Sequence, residues 1–496
     1  MMHIACVVLL AGFARTYGWD NFEMGQYITE APDGSVLLLG HTTSWGAGAD
    51  LLLIKMAPDG SPLWTKVYST PDNDWGLGID ITPDNNIVLA SESGPSGNAD
   101  VIVMKVSLAD GSVIWAKKYI GGDWDGPRSL KTVSDGFIVA GWTESASDED
   151  DFYLIKIDPN GNLVWAKVYG GPIFAEEDAY PVIQTRDGGF LIGGWTQSFG
   201  AGGRDIFLVK TDPLGNTQWA KTYGGPLGDS AYAILEMEDG TFIVAGQTSN
   251  FGASGTDIFV MRLGLDGFPL WSRIYGENGY EYIYSADRTA DGVIMAGYTT
   301  STGALGKDAL IMKIDPSGNL IWASLFGGVG NEEAWSIRVS ASGNPICTGY
   351  TTSWGTGTDA FALSLNPDGT YQGCLRNMAF STSLVNPTVM DQTTGVGFTP
   401  TVVDQTLNQS EPVPNFSDPC ASISLEEREA SPWIRAILTD GAVVFLSAVD
   451  SRVEIYSPDG RLFLSQELHP GQTRISLEPG VYFWQAGQFK GKAVVR

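Results

Sequence analysis

The chain has 496 residues, of which 29 are basic and 57 acidic, giving a formal net charge of −28. This balance excludes nucleic acid and anionic membrane surfaces as expected partners, because both need a cationic footprint. No apolar stretch is long enough to span a bilayer, so we predict no membrane insertion.

The first segment, residues 1–14, reads MMHIACVVLLAGFA and contains an apolar run from Ile4 to Phe13. An apolar run followed by small residues is typical of a secretory signal. We therefore predict a signal peptide over residues 1–14 and a protein that is secreted or displayed on the outer cell surface.

A repeat of about fifty residues occupies residues 15–374. The clearest copy runs from Asp187 to Gly225, and equivalent Asp or Ser residues recur at intervals of 51, 51, 52, 52, 52 and 51 residues, at positions 33, 84, 135, 187, 239, 291 and 342. Each copy contains four short runs typical of strands, here called A to D, with Asp-Gly or Asn-Gly turns in most A–B and C–D connections. Seven four-stranded units predict an all-β, seven-bladed β-propeller; a β-solenoid is the alternative fold.

Three residue series recur in register through the repeats. An Asp begins strand C in every copy, whereas strand D carries a Trp and, four residues later, a Tyr or Phe in six copies. We interpret the Asp as holding its loop and the Trp as packing between blades. The seventh copy lacks the Trp and the aromatic residue, but Phe13–Gly18 resembles a D strand. We therefore predict that the N-terminus supplies the outer strand of the last blade and closes the ring.

The repeat ends at Cys374, and residues 375–425 form a Thr-, Val-, Pro- and Ser-rich segment predicted to be a short β-rich linker. Cys374 and Cys420 bracket this segment, and we predict that they form a disulfide in an exported protein. Cys347 lies in a strand pattern and is expected to be a buried free thiol. Residues 426–496 contain five short apolar runs separated by turns, which predicts a small C-terminal β-sandwich.

The repeats resemble the SBBP family of bacterial and archaeal β-propeller repeats over residues 19–373. The units of that family are similar to the chain's DGGFLIGGWT, DIFLVKTDPLGN and WAKTYGG phrases. The resemblance implies a propeller in an exported or surface protein, and it brings no catalytic residues with it.

The end of the chain resembles the type A C-terminal sorting domain of type IX secretion substrates. The matching phrases are Val453–Arg461, Pro479–Phe483 and Gly491–Arg496. The resemblance implies a β-sandwich that is recognised by the outer-membrane export machinery, which would then be a partner of this chain.

The B–C and D–A loops share one face of a propeller, and we expect a ligand site there because variable loops on a rigid scaffold carry function. Its candidates are aromatic side chains that stack on sugar rings and carboxylates that bind hydroxyl groups or Ca²⁺. They are Trp45, Phe199, Phe251, Trp354, Asp123, Asp125, Glu176, Glu177, Glu332 and Glu333. Alternatively, the aromatic residues fill gaps between blades and the acids are solvated.

The sequence gives little support for catalysis. Only three histidines occur, and only His41 lies in the repeats, so a histidine-rich metal site is excluded. His41 is expected at a strand-B position filled elsewhere by Trp142, Trp195, Gln247, Tyr298 and Tyr350. We predict a binding or adhesion module for a glycan or protein ligand, without a cofactor apart from Ca²⁺ as an option. The alternatives are a carbohydrate-active hydrolase or lyase that uses loop-face carboxylates and a structural component of the cell envelope.

Overall fold

The computed structural model describes residues 12–371 except 46–47, 96–97, 122, 145–149, 171–175, 252–254, 302–305 and 356, together with the backbone of short strands within residues 375–495. The chain divides into a unit that ends at Ile423 and a second that begins at Ser424. All regular elements of the described residues are strands, and these residues form no helix long and apolar enough to cross a membrane.

The described residues of the first unit form seven sheets, which confirms the predicted seven-bladed propeller of four-stranded blades. The first strand is β1 (Ala14–Gly18), and the strands of blades 1 to 3 are β2 (Glu23–Glu30), β3 (Val36–Thr42), β4 (Asp50–Met56) and β5 (Pro62–Ser69); β6 (Asn73–Ile81), β7 (Ile87–Gly94), β8 (Asp100–Val106) and β9 (Val113–Ile120); and β10 (Asp125–Val133), β11 (Gly136–Thr143), β12 (Asp151–Ile157) and β13 (Leu163–Tyr169).

Blades 4 to 7 repeat the same order. Their strands are β14 (Glu177–Gln184), β15 (Phe190–Thr196), β16 (Asp205–Thr211) and β17 (Thr217–Gly224); β18 (Asp229–Glu236), β19 (Phe242–Thr248), β20 (Asp257–Leu263) and β21 (Pro269–Gly276); β22 (Glu281–Thr289), β23 (Gly292–Thr299), β24 (Asp308–Ile314) and β25 (Leu320–Phe326); and β26 (Glu332–Val339), β27 (Pro345–Thr351) and β28 (Asp359–Ser364).

The hydrophobic core lies between neighbouring blades. Strands such as β3 and β16 are buried along their whole length, because a neighbouring sheet covers each of their faces. The D strands are more exposed at their beginnings; β17, for example, alternates between partly buried and exposed residues before it becomes fully buried. Cys347 is a buried free thiol within this core, as predicted.

The N-terminal strand closes the ring, as the sequence predicted. Strand β1 pairs antiparallel with β28 and therefore occupies the D position of blade 7. Phe13, Ala14 and Tyr17 are buried between blades 7 and 1 and their neighbours. The strand begins at Ala14, so the predicted boundary between residues 14 and 15 falls inside it.

The Tyr series of strand D joins each blade to the next one. Six Tyr hydroxyls donate hydrogen bonds of 2.6–2.7 Å to the carbonyl of the turn glycine in the following blade. In blade 6 the residue is Phe326, and the Ser324 hydroxyl donates to Gly369 instead, at 3.0 Å. The Trp series packs against the same turns, since a Cβ at Gly267 would lie 3.1 Å from the Trp219 ring. The predicted inter-blade role of the Trp series is thus confirmed.

We expect Tyr223→Phe to lower the free energy of unfolding by about 1 to 2 kcal/mol, because the buried Gly267 carbonyl loses its donor. Chemical denaturation measures the loss. Blade 6 suggests the matched rescue: Lys221→Ser in the Tyr223→Phe background places a hydroxyl at the position of Ser324. An unchanged stability of Tyr223→Phe would contradict the proposed role of the hydroxyl.

The predicted linker adds a fifth strand to every blade. Its backbone forms β29 (Leu375–Asn377), β30 (Ser381–Leu384), β31 (Thr388–Asp391), β32 (Val396–Gly397), β33 (Thr401–Asp404), β34 (Asn408–Ser410) and β35 (Asn415–Ser417). These strands pair in turn with the outer strands of blades 6, 5, 4, 3, 2 and 1 and finally with β1. The segment therefore runs round the ring against the blade order and covers edges that would otherwise be unpaired.

The described backbone of the second unit forms seven strands in two sheets. They are β36 (Ile434–Thr439), β37 (Ala442–Ser447), β38 (Ser451–Tyr456), β39 (Leu462–Leu468), β40 (Gly471–Ser476), β41 (Gly480–Ala486) and β42 (Phe489–Val495). One sheet has the order β36-β37-β40 and the other β39-β38-β41-β42. The strands overlap the five predicted runs, while the β-sandwich itself stays a prediction.

Candidate functional site: the central channel

The innermost strands of all seven blades surround a central cavity of about 760 Å³. These strands are β2, β6, β10, β14, β18, β22 and β26, and each begins at the loop face and runs towards the A–B turns. The side chains that line the cavity therefore come from equivalent positions of the repeat.

A β-bulge interrupts each of these innermost strands near its beginning. A bulge adds a residue and redirects its side chain, and here the added residues line the cavity. We call them the upper ring; its members are Gln26, Leu77, Arg128, Tyr180, Tyr232, Tyr284 and Trp335. They follow the repeat interval of 51 or 52 residues, yet their identities differ among blades.

Four consecutive members of the upper ring form a row of aromatic side chains. The ring centroids of Tyr180 and Tyr232 are 4.7 Å apart, and those of Tyr232 and Tyr284 are 5.8 Å apart. Tyr284 and Trp335 are stacked at 4.5 Å. All four side chains are partly exposed to the cavity. Such a row offers flat apolar surfaces next to phenolic hydroxyl groups.

The opposite side of the cavity carries two polar side chains, Glu92 and Arg128, and two more tryptophans. Trp124 donates from Nε1 to Glu92 at 2.7 Å, and Trp75 is 38% exposed. The Arg128 guanidinium lies 5.6 Å from the Tyr180 ring centroid and bonds Asp178 at 3.5 Å. Burial raises the pKa of Glu92, although the hydrogen bond from Trp124 opposes this shift.

His41 occupies the predicted strand-B position, opposite Met24 on β2. It is buried, lies 3.3 Å from Gln26 through Nδ1 and contacts the rings of Phe22 and Trp75. Burial lowers its pKa from 6.5 to about 4. The imidazole is therefore neutral at physiological pH and supports Trp75 and the upper ring by packing.

We expect His41 to make the protein less stable in mild acid. The unfolded chain binds a proton near pH 6.5 and the folded one near pH 4, so stability is lost as the pH falls through this window, by about 3 kcal/mol in total. His41→Gln, which copies Gln247 of blade 5, removes this contribution. Denaturation of both proteins at pH 7.5 and pH 4 measures it, because the carboxylates common to both cancel; equal losses would contradict the account.

The four aromatic candidates from the sequence lie away from the cavity. Phe199, Phe251 and Trp354 pack against the core, where their ring centroids lie 5.7, 5.9 and 5.0 Å from Phe207, Phe259 and Phe326. Trp45 is 38% exposed and contacts Trp19 edge-on at 6.2 Å. Three of the four thus make the packing contacts of the alternative interpretation, and ligand binding by them stays a prediction.

Three of the candidate carboxylates belong to a buried series that joins loops to strands. The series lies at the first residue of strand A in six blades and at the second residue in blade 2, and it is at most 3% exposed: Glu23, Asp74, Asp125, Glu177, Asp229, Glu281 and Glu332. Glu332 accepts hydrogen bonds from the backbone N–H groups of Gly328 and Ser353 and from the Thr351 hydroxyl, at 2.8, 3.2 and 2.7 Å. The expectation that such acids are solvated does not hold for this series.

The remaining candidates differ in their surroundings. Glu333 is buried, pairs with Lys307 and accepts from the hydroxyls of Tyr350 and Tyr284 at 2.8 and 3.3 Å, so it contacts the upper ring. Glu176 lies 3.6 Å from Arg204, and Asp123 is exposed.

The sequence also left Ca²⁺ binding as an option and predicted a disulfide between Cys374 and Cys420. The described residues contain no cluster of three or more His, Cys, Asp or Glu side chains arranged for a metal. Cys374 and Cys420 lie outside the described residues, so their disulfide stays a prediction.

The Asp series that begins strand C behaves as predicted in blade 4. Asp205 is buried and accepts a hydrogen bond from the backbone N–H of Ala201 in the Gly-rich loop at 2.8 Å. Burial raises the pKa of Asp205, whereas the loop N–H groups oppose that shift. This residue therefore fixes the loop that precedes its strand.

Six aromatic residues of the cavity were not predicted from the sequence: Trp75, Trp124, Tyr180, Tyr232, Tyr284 and Trp335. A signal for them exists, since residues that are the same in every blade maintain the repeat, while a position in strict register with varying side chains is free to bind a ligand. The upper ring is such a position. Trp124 was missed although both of its neighbours, Asp123 and Asp125, were candidates.

Comparison with known proteins identifies no family, since no family model and no curated protein matches the chain. Among solved structures, PorZ, an essential bacterial surface component of the type-IX secretion system of Porphyromonas gingivalis, matches with 10% identity and a TM-score of 0.26 over 97% of this chain and 99% of that chain. A likeness at this TM-score carries no argument. The first unit of the chain is a seven-bladed β-propeller with an aromatic-lined central cavity.

Proposed function

We propose that this protein is a secreted or cell-surface binding module whose central cavity takes up a glycan. The observation that carries the proposal is the row of Tyr180, Tyr232, Tyr284 and Trp335, partly exposed in a cavity of about 760 Å³. Sugar rings present apolar faces and peripheral hydroxyl groups, and they stack on aromatic side chains while polar groups bind the hydroxyls.

A binding module is favoured over the carbohydrate-active enzyme because many of the candidate carboxylates already have structural partners. The Glu332 and Glu177 carboxylates accept hydrogen bonds that hold the loops and strand ends of their own blades. Glu333 is paired with Lys307. A general acid or nucleophile needs access to the substrate, and these groups are buried.

We further propose that type IX secretion exports the protein through residues 426–496. The support is the resemblance of Val453–Arg461 and Pro479–Phe483 to its sorting domains, together with the strands found there. In a bacterium that has this machinery, deletion of residues 424–496 should retain the propeller in the periplasm, whereas the full chain reaches the surface. Equal surface display of both chains would contradict this role.

A glycan array with the full chain, followed by calorimetric titration of the hits, tests the binding function. Trp335→Ala and Tyr284→Ala should each weaken binding about tenfold or more, since aromatic anchors at the centre of a site contribute most of the affinity. Trp45→Ala is the matched control, because it removes an exposed aromatic residue from a B–C loop outside the cavity. It should leave binding unchanged.

Two outcomes would contradict the proposal of a binding module that uses the cavity. In the first, Trp45→Ala abolishes binding and the two cavity variants bind normally. In the second, a bound glycan is cleaved, which favours the enzyme. Ordered self-assembly of a chain that binds no glycan would instead favour a structural component of the envelope.

A further inference from the structure

A second ring of cavity residues lies three positions after the upper ring on each innermost strand. We call it the lower ring; its members are Thr29, Asp80, Lys131, Ile183, Leu235, Asp287 and Arg338. Three residues of strand correspond to about 10 Å, so the lower ring lies about 10 Å deeper than the aromatic row. Five of its members line the cavity, including both cationic ones.

The two carboxylates of the lower ring are turned towards the next blade. Asp80 accepts from the backbone N–H of Thr132 at 2.7 Å, and Asp287 accepts from that of Val339 at 2.8 Å. Each acid therefore has a backbone partner and forms no ion pair within 4.0 Å with a described cation.

The two cations of the lower ring make no close ion pair with a described carboxylate, although the charges of Asp80 and Asp287 act on Lys131 from a distance. Lys131 makes no hydrogen bond or ion pair with any described residue. Arg338 donates from Nη1 to the Ile337 carbonyl at 2.8 Å and to the Ser285 hydroxyl at 3.4 Å, which leaves several of its five N–H donors unused among the described residues. Burial lowers the pKa of Lys131 and the charge of Arg338 lowers it further, whereas the charges of Asp80 and Asp287 oppose this shift.

Lys131 and Arg338 both line the cavity, whereas the Asp80 and Asp287 carboxylates are occupied by backbone N–H groups of the next blade. An anion bound to both cations supplies acceptors for the N–H groups that Lys131 and Arg338 leave unused among the described residues. A planar carboxylate suits the guanidinium fork, and the ammonium adds a point charge. The apolar side chains of Ile183 and Leu235 in the same ring limit competing hydration and strengthen such a contact.

We propose that the ligand is an acidic oligosaccharide whose sugar rings stack on the aromatic row while one carboxylate binds Lys131 and Arg338. This inference rests on the proposed glycan function and specifies its substrate class. A short oligosaccharide spans the distance of about 10 Å between the two rings. Arg128 of the upper ring is not part of this anion site, since it already bonds Asp178.

The test is calorimetric titration of the full chain with an oligogalacturonate, with its neutral methyl ester and with a sulfated oligosaccharide of similar length. We expect the carboxylated ligand to bind at least tenfold more tightly than the ester. Lys131→Met and Arg338→Gln should remove this preference and keep the affinity for the ester, whereas Lys131→Arg should retain it. Thermal unfolding checks that each variant is folded.

The outcomes separate the two proposals. Equal binding of acid and ester by the parent chain, with both lost in Trp335→Ala, overturns the anion site and leaves the glycan function. Tighter binding of the sulfated ligand contradicts the carboxylate and indicates that the site binds a sulfate. Failure of all three saccharides to bind overturns this inference, and failure on the wider glycan array overturns the glycan function as well.

Discussion

A chain that lacks residues 1–18 is expected to lose most of its cooperative folding, whereas a chain that lacks only residues 1–11 folds normally. The longer deletion removes β1, and with it Phe13, Ala14 and Tyr17, which are at most 3% exposed. Loss of one large buried side chain costs about 3 to 5 kcal/mol, and the total stability of a domain is about 5 to 15 kcal/mol. Losing two such side chains and a strand therefore removes much or all of the stability.

The deletion also opens the ring. Blade 7 loses the strand that covers β28, and blade 1 loses the hydrogen bond from Tyr17 to the Gly60 carbonyl. Thermal unfolding followed by far-ultraviolet circular dichroism measures the difference between the two chains. Tyr17→Phe in the otherwise intact chain is the graded control and should cost about 1 to 2 kcal/mol. Closely similar melting temperatures of the two shortened chains would contradict the closure.

The second large effect is expected for Glu332→Ala, which should lower the free energy of unfolding by about 4 kcal/mol. The substitution leaves the donors of Gly328, Thr351 and Ser353 without their buried acceptor, and each such loss costs about 1 to 3 kcal/mol. Glu332→Gln keeps one acceptor oxygen and should cost less. Asp20→Ala, an exposed change on the same face, should stay within about 0.5 kcal/mol.

This substitution also distinguishes two roles of the carboxylate. If Glu332 only joins strand to loop, the folded fraction of Glu332→Ala binds a glycan as tightly as the parent chain. If Glu332 contacts the ligand directly, affinity falls while stability changes little. Denaturation and titration of the same sample decide between these results.

Sequence predicted the repeat architecture well because the propeller depends on local signals that recur seven times. The Asp-Gly turns, the Trp and Tyr series of strand D and the D-like phrase Phe13–Gly18 are each readable without long-range information. Ring closure by β1 was predicted because the seventh copy lacks the Trp and the aromatic residue of the D series, whereas Phe13–Gly18 resembles a D strand.

Two features depend on long-range geometry and were not predicted. The path of residues 375–417 round the ring is set by which edges are open, and short Thr- and Val-rich strands carry no signal for their partners. The upper ring depends on a bulge in each innermost strand, which turns Tyr232 or Trp335 into the cavity. Side chains of a regular strand alternate between the two faces of the sheet, and this pattern does not indicate where a bulge redirects one of them.

The candidate acids show why composition misled the choice of site. A run such as Glu176-Glu177-Asp178 resembles a solvated ligand-binding loop. In the structure, Glu177 is fully buried and bonds Thr196, while Asp178 bonds Arg128. The identical position in all seven blades was the better guide, because a residue required by every blade serves the joint between strand and loop.

A crystal structure of the full chain soaked with an oligogalacturonate tests the central cavity as the ligand site most directly. We predict density for sugar rings against Tyr284 and Trp335, with a carboxylate within hydrogen-bond distance of Lys131 and Arg338. Density on the outer loops beside Trp45, with the cavity free of ligand, would contradict the account.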